Sequence, residues 1–127
     1  MENMKIIYSA YSKRNFYFRA HISQHILKNF CVPLNPFMLF DYFMGDMVER
    51  EVVRNANNNI VAKCDEVWVF GQIADGVLAE IKLAKSLNKK IRYFAIRNSK
   101  IIEEISQEEV VFEEGLELEG RNLVQNE

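Results

Sequence analysis

Short runs of apolar residues alternate along this 127-residue chain with longer stretches in which apolar residues recur at helical spacing. A continuous apolar run bounded by turn residues predicts a buried strand, and recurrence every three to four residues predicts a helix that packs by one face. The predicted strands are KIIYSAY at 5–11, CVPLNP at 31–36, VWVF at 67–70, IRYFAI at 91–96 and a last strand near 110–112. The first predicted helix begins after Ser12 and ends near residue 30. Further helices are predicted at 47–63 and 76–87, with a short one near 101–105.

The order of these elements predicts the class of the fold. Strands and helices alternate throughout, which favours an α/β domain with a mostly parallel sheet of about four or five strands. Right-handed crossovers place helices on both faces of such a sheet and give three layers. We expect residues 1–113 to form this single domain and 114–127 to form a polar, acidic and frayed tail.

The parallel sheet also predicts where a ligand binds. In open α/β sheets, ligands occupy the crevice outside the carboxyl ends of the strands. The segments expected at those ends are 8–11, 35–37, 70–75 and 94–98.

Composition and charge exclude several classes of function. The net charge is −2 and the isoelectric point about 5.8, so charge gives no general attraction to nucleic acid or to an anionic membrane. No apolar run approaches the roughly 20 residues of a membrane helix, and the N-terminus lacks the layout of a signal peptide. Cys31 and Cys64 lie beside apolar segments and are interpreted as buried thiols in a reducing compartment, which predicts the cytoplasm.

One carboxylate contradicts the apolar pattern of its helix. At about 100° per residue, Glu80 falls inside an arc of apolar side chains near the start of the helix at 76–87. A partly buried carboxylate is costly unless something uses it. One interpretation is a nucleophile or general base, and the other is a carboxylate that caps a backbone amide or pairs with Arg92 or Lys90. The apolar arc is formed by Val77, Leu83, Ala84 and Leu87.

The loop GQIADG at 71–76 precedes that helix. Gly71 can adopt a positive φ, and Asp75 can cap the helix through the amides that follow it. The loop has neither the glycine density nor the lysine of a phosphate-binding loop.

These residues resemble the nucleoside 2-deoxyribosyltransferase superfamily, in particular its small bacterial members. The shared pattern is Asp65, the strand VWVF, Asp75-Gly76, Glu80 and Ala84, followed by KKIRYF. The opening strand IIYSAY, with Tyr8 at the position of an active-site tyrosine, and NPF at 35–37 extend the resemblance over roughly residues 4–96. The sequence departs from the pattern at Tyr11-Ser12, where the family has Gly-Pro, and at Lys82, where it has glycine.

The resemblance implies a Rossmann-like or flavodoxin-like domain that cleaves or transfers at an N-glycosidic bond. Glu80 would attack the sugar, Asp75 would orient the sugar hydroxyls or protonate the leaving base, and Tyr8 would hold the nucleophile or the sugar. No cofactor and no metal are implied, and a homo-oligomer with the aromatic segment 37–44 at the interface is expected. The alternative is a nucleotide-binding or sensing module without turnover. Substrate contacts are expected from Ser9, Tyr11, Asn35, Phe37, Asp41, Gly71, Gln72 and Gly76.

Two pairs of polar residues on the first helix raise further alternatives. Lys13 and Arg14 could hold a 5′-phosphate, or they are two solvated charges. His21 and His25 are four residues apart, a spacing that can bind a metal, but they fall on the polar face with no third ligand.

Overall fold

The computed structural model describes residues 3–40 and 44–125. Its strands are β1 (Ile6–Tyr11), β2 (Val32–Leu34), β3 (Glu66–Phe70), β4 (Lys90–Arg97) and β5 (Ile101–Ile105). Its helices are α1 (Arg19–Lys28), α2 (Pro36–Leu39), α3 (Arg50–Lys63), α4 (Asp75–Ser86) and α5 (Glu117–Gln125), with 3-10 turns at Lys13–Phe18, Met44–Asp46 and Gln107–Glu109.

The strands form one sheet in the order β2-β1-β3-β4-β5. The first four strands are parallel, and β5 runs antiparallel to β4. This order is that of flavodoxin-like folds, in which the crevice for ligands opens between the carboxyl ends of β1 and β3. The predicted three-layer α/β architecture with a mostly parallel sheet is therefore confirmed.

The sheet separates two apolar layers. Helix α1 packs on one face, which we call the α1 face, and α3, α4 and α5 pack on the other, which we call the α4 face. Because successive side chains of a strand point to opposite faces, neighbouring residues of β1 belong to different layers. The buried residues of the α1 face are Ile7, Tyr11, Ile22, Ile26, Cys31, Trp68, Phe70 and Phe94. Those of the α4 face include Tyr8, Ala10, Val61, Cys64, Val67, Val69, Ile81 and Val124.

Residues 101–105 form a strand, and the helix predicted there is wrong. Asn98 and Ser99 both have positive φ, at 50° and 67°, and turn the chain directly back after β4. Only three residues separate the two strands, whereas a parallel crossover needs a dozen or more. The segment can therefore only pair antiparallel. The strand expected near 110–112 is reduced to a single bridge between Ile73 and Phe112.

The frayed tail expected over 114–127 is wrong for residues 117–125, which form α5 and pack on the domain. Val124 is fully buried, and the Lys85 ammonium donates to the carbonyls of Leu123 and Val124 at the end of the helix. Arg121 donates to the carbonyl of Val110 over 2.6 Å. These contacts join residues far apart in the sequence, so the local polarity of the tail did not reveal them.

Helix α1 packs on the sheet through Ile22 and Ile26, which are fully buried, whereas Leu27 and Phe30 are 54% and 80% exposed. His25, expected on the polar face, packs its ring edge-on at 5.1 Å from Phe94. Within the described ranges, no helix is both long and apolar enough to cross a membrane.

Candidate functional site

Glu80 lies on α4 and turns its carboxylate toward the sheet, as the apolar arc predicted. The hydroxyl of Tyr8, which is fully buried in β1, donates a hydrogen bond to Glu80 Oε2. Tyr8 reaches the helix because it belongs to the α4 face of the central part of the sheet. The alternative partners Arg92 and Lys90 are wrong: Arg92 instead pairs with Glu104 on β5.

The surroundings change the acidity of both groups. Burial raises the pKa of Glu80 to about 7, although the hydrogen bond from Tyr8 opposes the shift. Burial, followed by the charge of Glu80 and the shared hydrogen bond, raises the pKa of Tyr8 well above its usual range. At neutral pH, Tyr8 is therefore a protonated donor, and Glu80 is divided between its carboxylate and its acid. A carboxylate in this state can serve as a nucleophile or as a general base.

Asp75 is not brought to this pair. It is the first residue of α4, its side chain is exposed, and the N-cap position belongs to Ala74, so the predicted capping role is wrong. Asp75 and Glu80 are five residues apart, which places them about 140° from each other around the helix axis. The two carboxylates therefore point to different sides of α4.

The glycines of the loop before α4 differ in what they do. Gly71 has a φ of 76°, as predicted, and a Cβ there would lie 2.5 Å from Asn15 Nδ2. Gly76 is helical and has open space around it, and Gln72 is exposed. Asp65, at the start of the motif, accepts a hydrogen bond from the Ile6 amide over 2.7 Å and ties β3 to β1.

Several of the expected substrate contacts form a second group on the α1 face. Tyr11 donates to Asn35 Oδ1 over 2.7 Å, and the same oxygen accepts from the Phe37 amide over 3.1 Å. The Tyr11 and Phe37 rings lie 5.0 Å apart. Ser9 donates to the Leu34 carbonyl. These residues therefore pack against one another on the face opposite to Tyr8 and Glu80, and the structure does not gather all of the predicted contacts into one site. Asp41 lies outside the described residues.

Two buried side-chain amide atoms have no hydrogen-bond partner in the described part of the chain. They are Asn35 Nδ2, at the end of β2, and Asn57 Oδ1, on α3. Buried polar atoms are normally paired, so each of these can receive a ligand group or a water. Asn57 was missed from the sequence, although the spacing of Val53, Asn57 and Val61 placed it on the inner side of α3.

One of the two proposed phosphate residues, Arg14, already lies near a carboxylate. Ser12 donates to Glu113 Oε2 over 2.8 Å, and Arg14 Nε lies 3.7 Å from the same oxygen. Lys13 is exposed. Glu113 is far away in the sequence and was not predicted. No group of three or more His, Cys, Asp or Glu within 3–40 and 44–125 is placed to hold a metal ion.

The family model described as domain of unknown function DUF7768 matches residues 5–94. The match covers more than half of the chain, so the protein belongs to this family. It includes β1 to β3, α4 and most of the residues discussed above, whereas β5 and α5 lie beyond it. No curated protein matches the chain.

Proposed function

We propose that the protein cleaves or transfers at the N-glycosidic bond of a nucleoside or nucleotide, with Glu80 as the nucleophile. The observation that carries the proposal is the hydrogen bond from buried Tyr8 to Glu80 Oε2. This bond fixes one carboxylate oxygen and leaves Oε1 available for attack. The pKa of about 7 keeps a substantial fraction of Glu80 ionised at neutral pH.

The reaction then proceeds in two displacements. Glu80 Oε1 attacks the anomeric carbon, the bond between that carbon and the base nitrogen breaks, and the base leaves with the electron pair and takes up a proton from solvent. Water or a second base then attacks the same carbon and gives up a proton to solvent, and the electrons of the ester bond return to Glu80. Water makes the protein a hydrolase, and a second base makes it a transferase. Tyr8 holds the carboxylate in place during both steps.

Mass spectrometry on a mixed pool tests this proposal. The protein and its Glu80→Gln variant are incubated with deoxyribonucleosides, ribonucleosides, their 5′-monophosphates and a free acceptor base. We expect released or exchanged base, and a loss of at least about a thousandfold in the variant. Glu117→Gln, a change of an exposed glutamate on α5, is the matched control and should keep the full rate. Asp75→Asn should have a smaller effect than Glu80→Gln. Absence of product from every sample contradicts the proposal.

Binding without turnover is the second candidate function. It is favoured by the position of the two prominent surface clefts, of about 340 and 330 Å³, because Glu80 lines neither of them. A binding module would retain nucleotide affinity in Glu80→Gln and would release no base in any sample.

We also propose a homo-oligomer whose interface includes the aromatic and apolar segment 37–44. Met38 and Leu39 on α2 are 56% and 49% exposed. Neighbouring exposed apolar side chains commonly mark an interface. Size-exclusion chromatography with light scattering should give a dimer or a larger assembly, and a monomer at high concentration would overturn this part.

A further inference from the structure

A cleft of about 340 Å³ opens at the amino ends of the strands, at the opposite edge of the sheet from the crevice that the fold class predicts. Its residues come from the start of β1, the end of α1 and the first residues of β3 and β4. The side chains used in the argument below are Lys5, Phe30, Glu66, Trp68, Lys90 and Arg92.

The cleft carries more positive than negative charge. Lys5 pairs with Glu66 over 2.9 Å, and the second oxygen of Glu66 accepts from the Trp68 indole over 2.9 Å. Glu66 is therefore fully engaged. Lys90 is exposed and has no carboxylate within 4 Å among the described residues. An anion entering the cleft therefore meets at least one cation, Lys90, that no carboxylate of the described residues contacts directly.

Arg92 is held rigidly at the wall of the cleft. Its Nε and Nη2 donate to the two oxygens of Glu104 over 2.8 and 2.6 Å, and its guanidinium lies 4.5 Å from the centre of the Trp68 ring. A bidentate pair that also stacks on an aromatic ring has a fixed orientation. The wall is therefore ordered before any ligand arrives.

Phe30 is an exposed aromatic ring that the fold does not need. It follows α1 with a φ of 61°, in the left-handed region that disfavours bulky residues, and it is 80% exposed. Helix α4 ends in the same turn: the Asn88 amide donates to Lys85 O as the Phe30 amide donates to Leu27 O. At that position α4 has asparagine, which tolerates a positive φ of 57°. Phe30 is therefore a less suitable residue for its turn than Asn88 is for the equivalent turn after α4. The Phe30 ring lines the cleft.

We propose that this amino-edge cleft binds a small anion that carries a flat aromatic ring, such as a nucleoside monophosphate. The ring stacks on Phe30, and the phosphate lies against Lys90 with Lys5 and Arg92 beside it. The cleft is at the small end of the range for ligand pockets, which suits a mononucleotide. The net charge of −2 on the chain gives no attraction for a long polyanion. The proposal is independent of the role of Glu80.

Trp68 makes the binding measurable, since it is the only tryptophan of the chain and it lines the cleft. AMP, adenosine and inorganic phosphate are each titrated into the protein at low salt, and their binding is measured by Trp68 fluorescence and by calorimetry. We expect saturable binding of AMP that weakens as salt is added. Adenosine and phosphate should each bind about tenfold more weakly or worse, because each lacks one half of the recognition. Absence of AMP binding by calorimetry, or equal affinities for AMP and phosphate, would overturn the proposal.

Variants place the ligand in this cleft rather than near Glu80. Phe30→Gly and Lys90→Ala should each weaken AMP binding about tenfold. Tyr17→Ala and Lys100→Ala remove an exposed ring and an exposed lysine outside the cleft and should leave the affinity unchanged. The same titrations are made in the Glu80→Gln background, in which the proposed nucleophile cannot consume AMP, and the signal followed is that of Trp68, which lines this cleft. A Trp68 response to AMP that survives both cleft variants in this background would place the ligand elsewhere and contradict the proposal. Glycine suits the turn at residue 30, so a lost signal in Phe30→Gly would not reflect unfolding, and a thermal melt checks this.

Discussion

Glu80 and Glu66 are both glutamates that the fold turns away from solvent, yet their acidities shift in opposite directions. Burial raises the pKa of both side chains. At Glu66, hydrogen bonds from Lys5 and Trp68, together with the Lys5 charge, outweigh burial and lower the pKa below its ordinary value. At Glu80 the neutral Tyr8 is the only hydrogen-bond partner among the described residues, and burial raises the pKa to about 7. The comparison teaches that a buried carboxylate keeps a low pKa only where charged and polar partners offset its desolvation.

The pH dependence of turnover should give the largest effect. Only the ionised form of Glu80 can attack a sugar, so the rate should fall as the pH drops below about 7, by about tenfold per unit. Between pH 7 and pH 5 the loss is then on the order of a hundredfold. Initial rates of base release across this range measure it. A profile that stays flat down to pH 5 would mean that Glu80 has an ordinary pKa or takes no part in the reaction.

Ionisation of Glu80, which turnover requires, should lower the free energy of unfolding. Its folded-state pKa lies above the unfolded value, so its contribution to stability is present below the unfolded pKa and is lost as the pH rises through about 7. Glu80→Gln cannot ionise and should be more stable than the wild type at pH 8 by roughly 1–3 kcal/mol. Urea unfolding at pH 8 and near pH 4.5 measures the difference, which should shrink at the lower pH. Equal stabilities at both pH values would show that the buried carboxylate is not destabilising.

Glu66 should behave as the reverse case. Its pKa is lowered, so its contribution to stability is present above the unfolded pKa and is lost as the pH falls through the folded one. Glu66→Gln removes the ion pair with Lys5, which is 63% exposed, and weakens the bond from Trp68. We expect a loss of about 1–2 kcal/mol at pH 7, because the acceptor of one buried and one part-buried hydrogen bond loses its charge. Glu103→Gln, whose exposed pair with Arg97 should contribute little, is the matched control. Similar losses in the two variants would remove the contrast between Glu66 and a surface glutamate.

The two glutamates also differ in how far the sequence could predict them. Glu80 was visible because a charged residue inside an apolar helical arc contradicts a local pattern. Glu66 is the first residue of the otherwise apolar strand β3, and its partner Lys5 is 61 residues away, so no local pattern reveals its role. The same reason explains Glu113, which reaches Ser12 across 101 residues.

The elements of the fold also fall into two groups: those that a local sequence pattern predicts and those that depend on contacts with distant residues. β1, β3, β4 and α4 were predicted because apolar runs and helical spacing are local signals. The strand β5 was not, because its identity depends on a three-residue turn that forces antiparallel pairing with β4. Helix α5 was missed because its polar sequence is held by Lys85 and by Arg121 contacts with distant carbonyls.

Substitution of Phe30 should give the smallest effect, and it extends the comparison to a residue at the amino ends of the strands. A bulky residue in the left-handed region costs about 1 kcal/mol, so Phe30→Gly should raise the free energy of unfolding by roughly 0.5–1 kcal/mol. Asn88→Gly, at the equivalent position after α4, should change it less, because asparagine already tolerates this φ. Urea unfolding of both variants at pH 7 measures the difference. A higher free energy of unfolding in Phe30→Gly alone, combined with weaker AMP binding, would mean that Phe30 lowers the stability of the protein but contributes to ligand binding. Glu80 would be the corresponding case on the α4 face if Glu80→Gln is more stable and inactive. A loss of stability in Phe30→Gly would instead make the ring part of the folded core and remove the reason to assign it to a ligand.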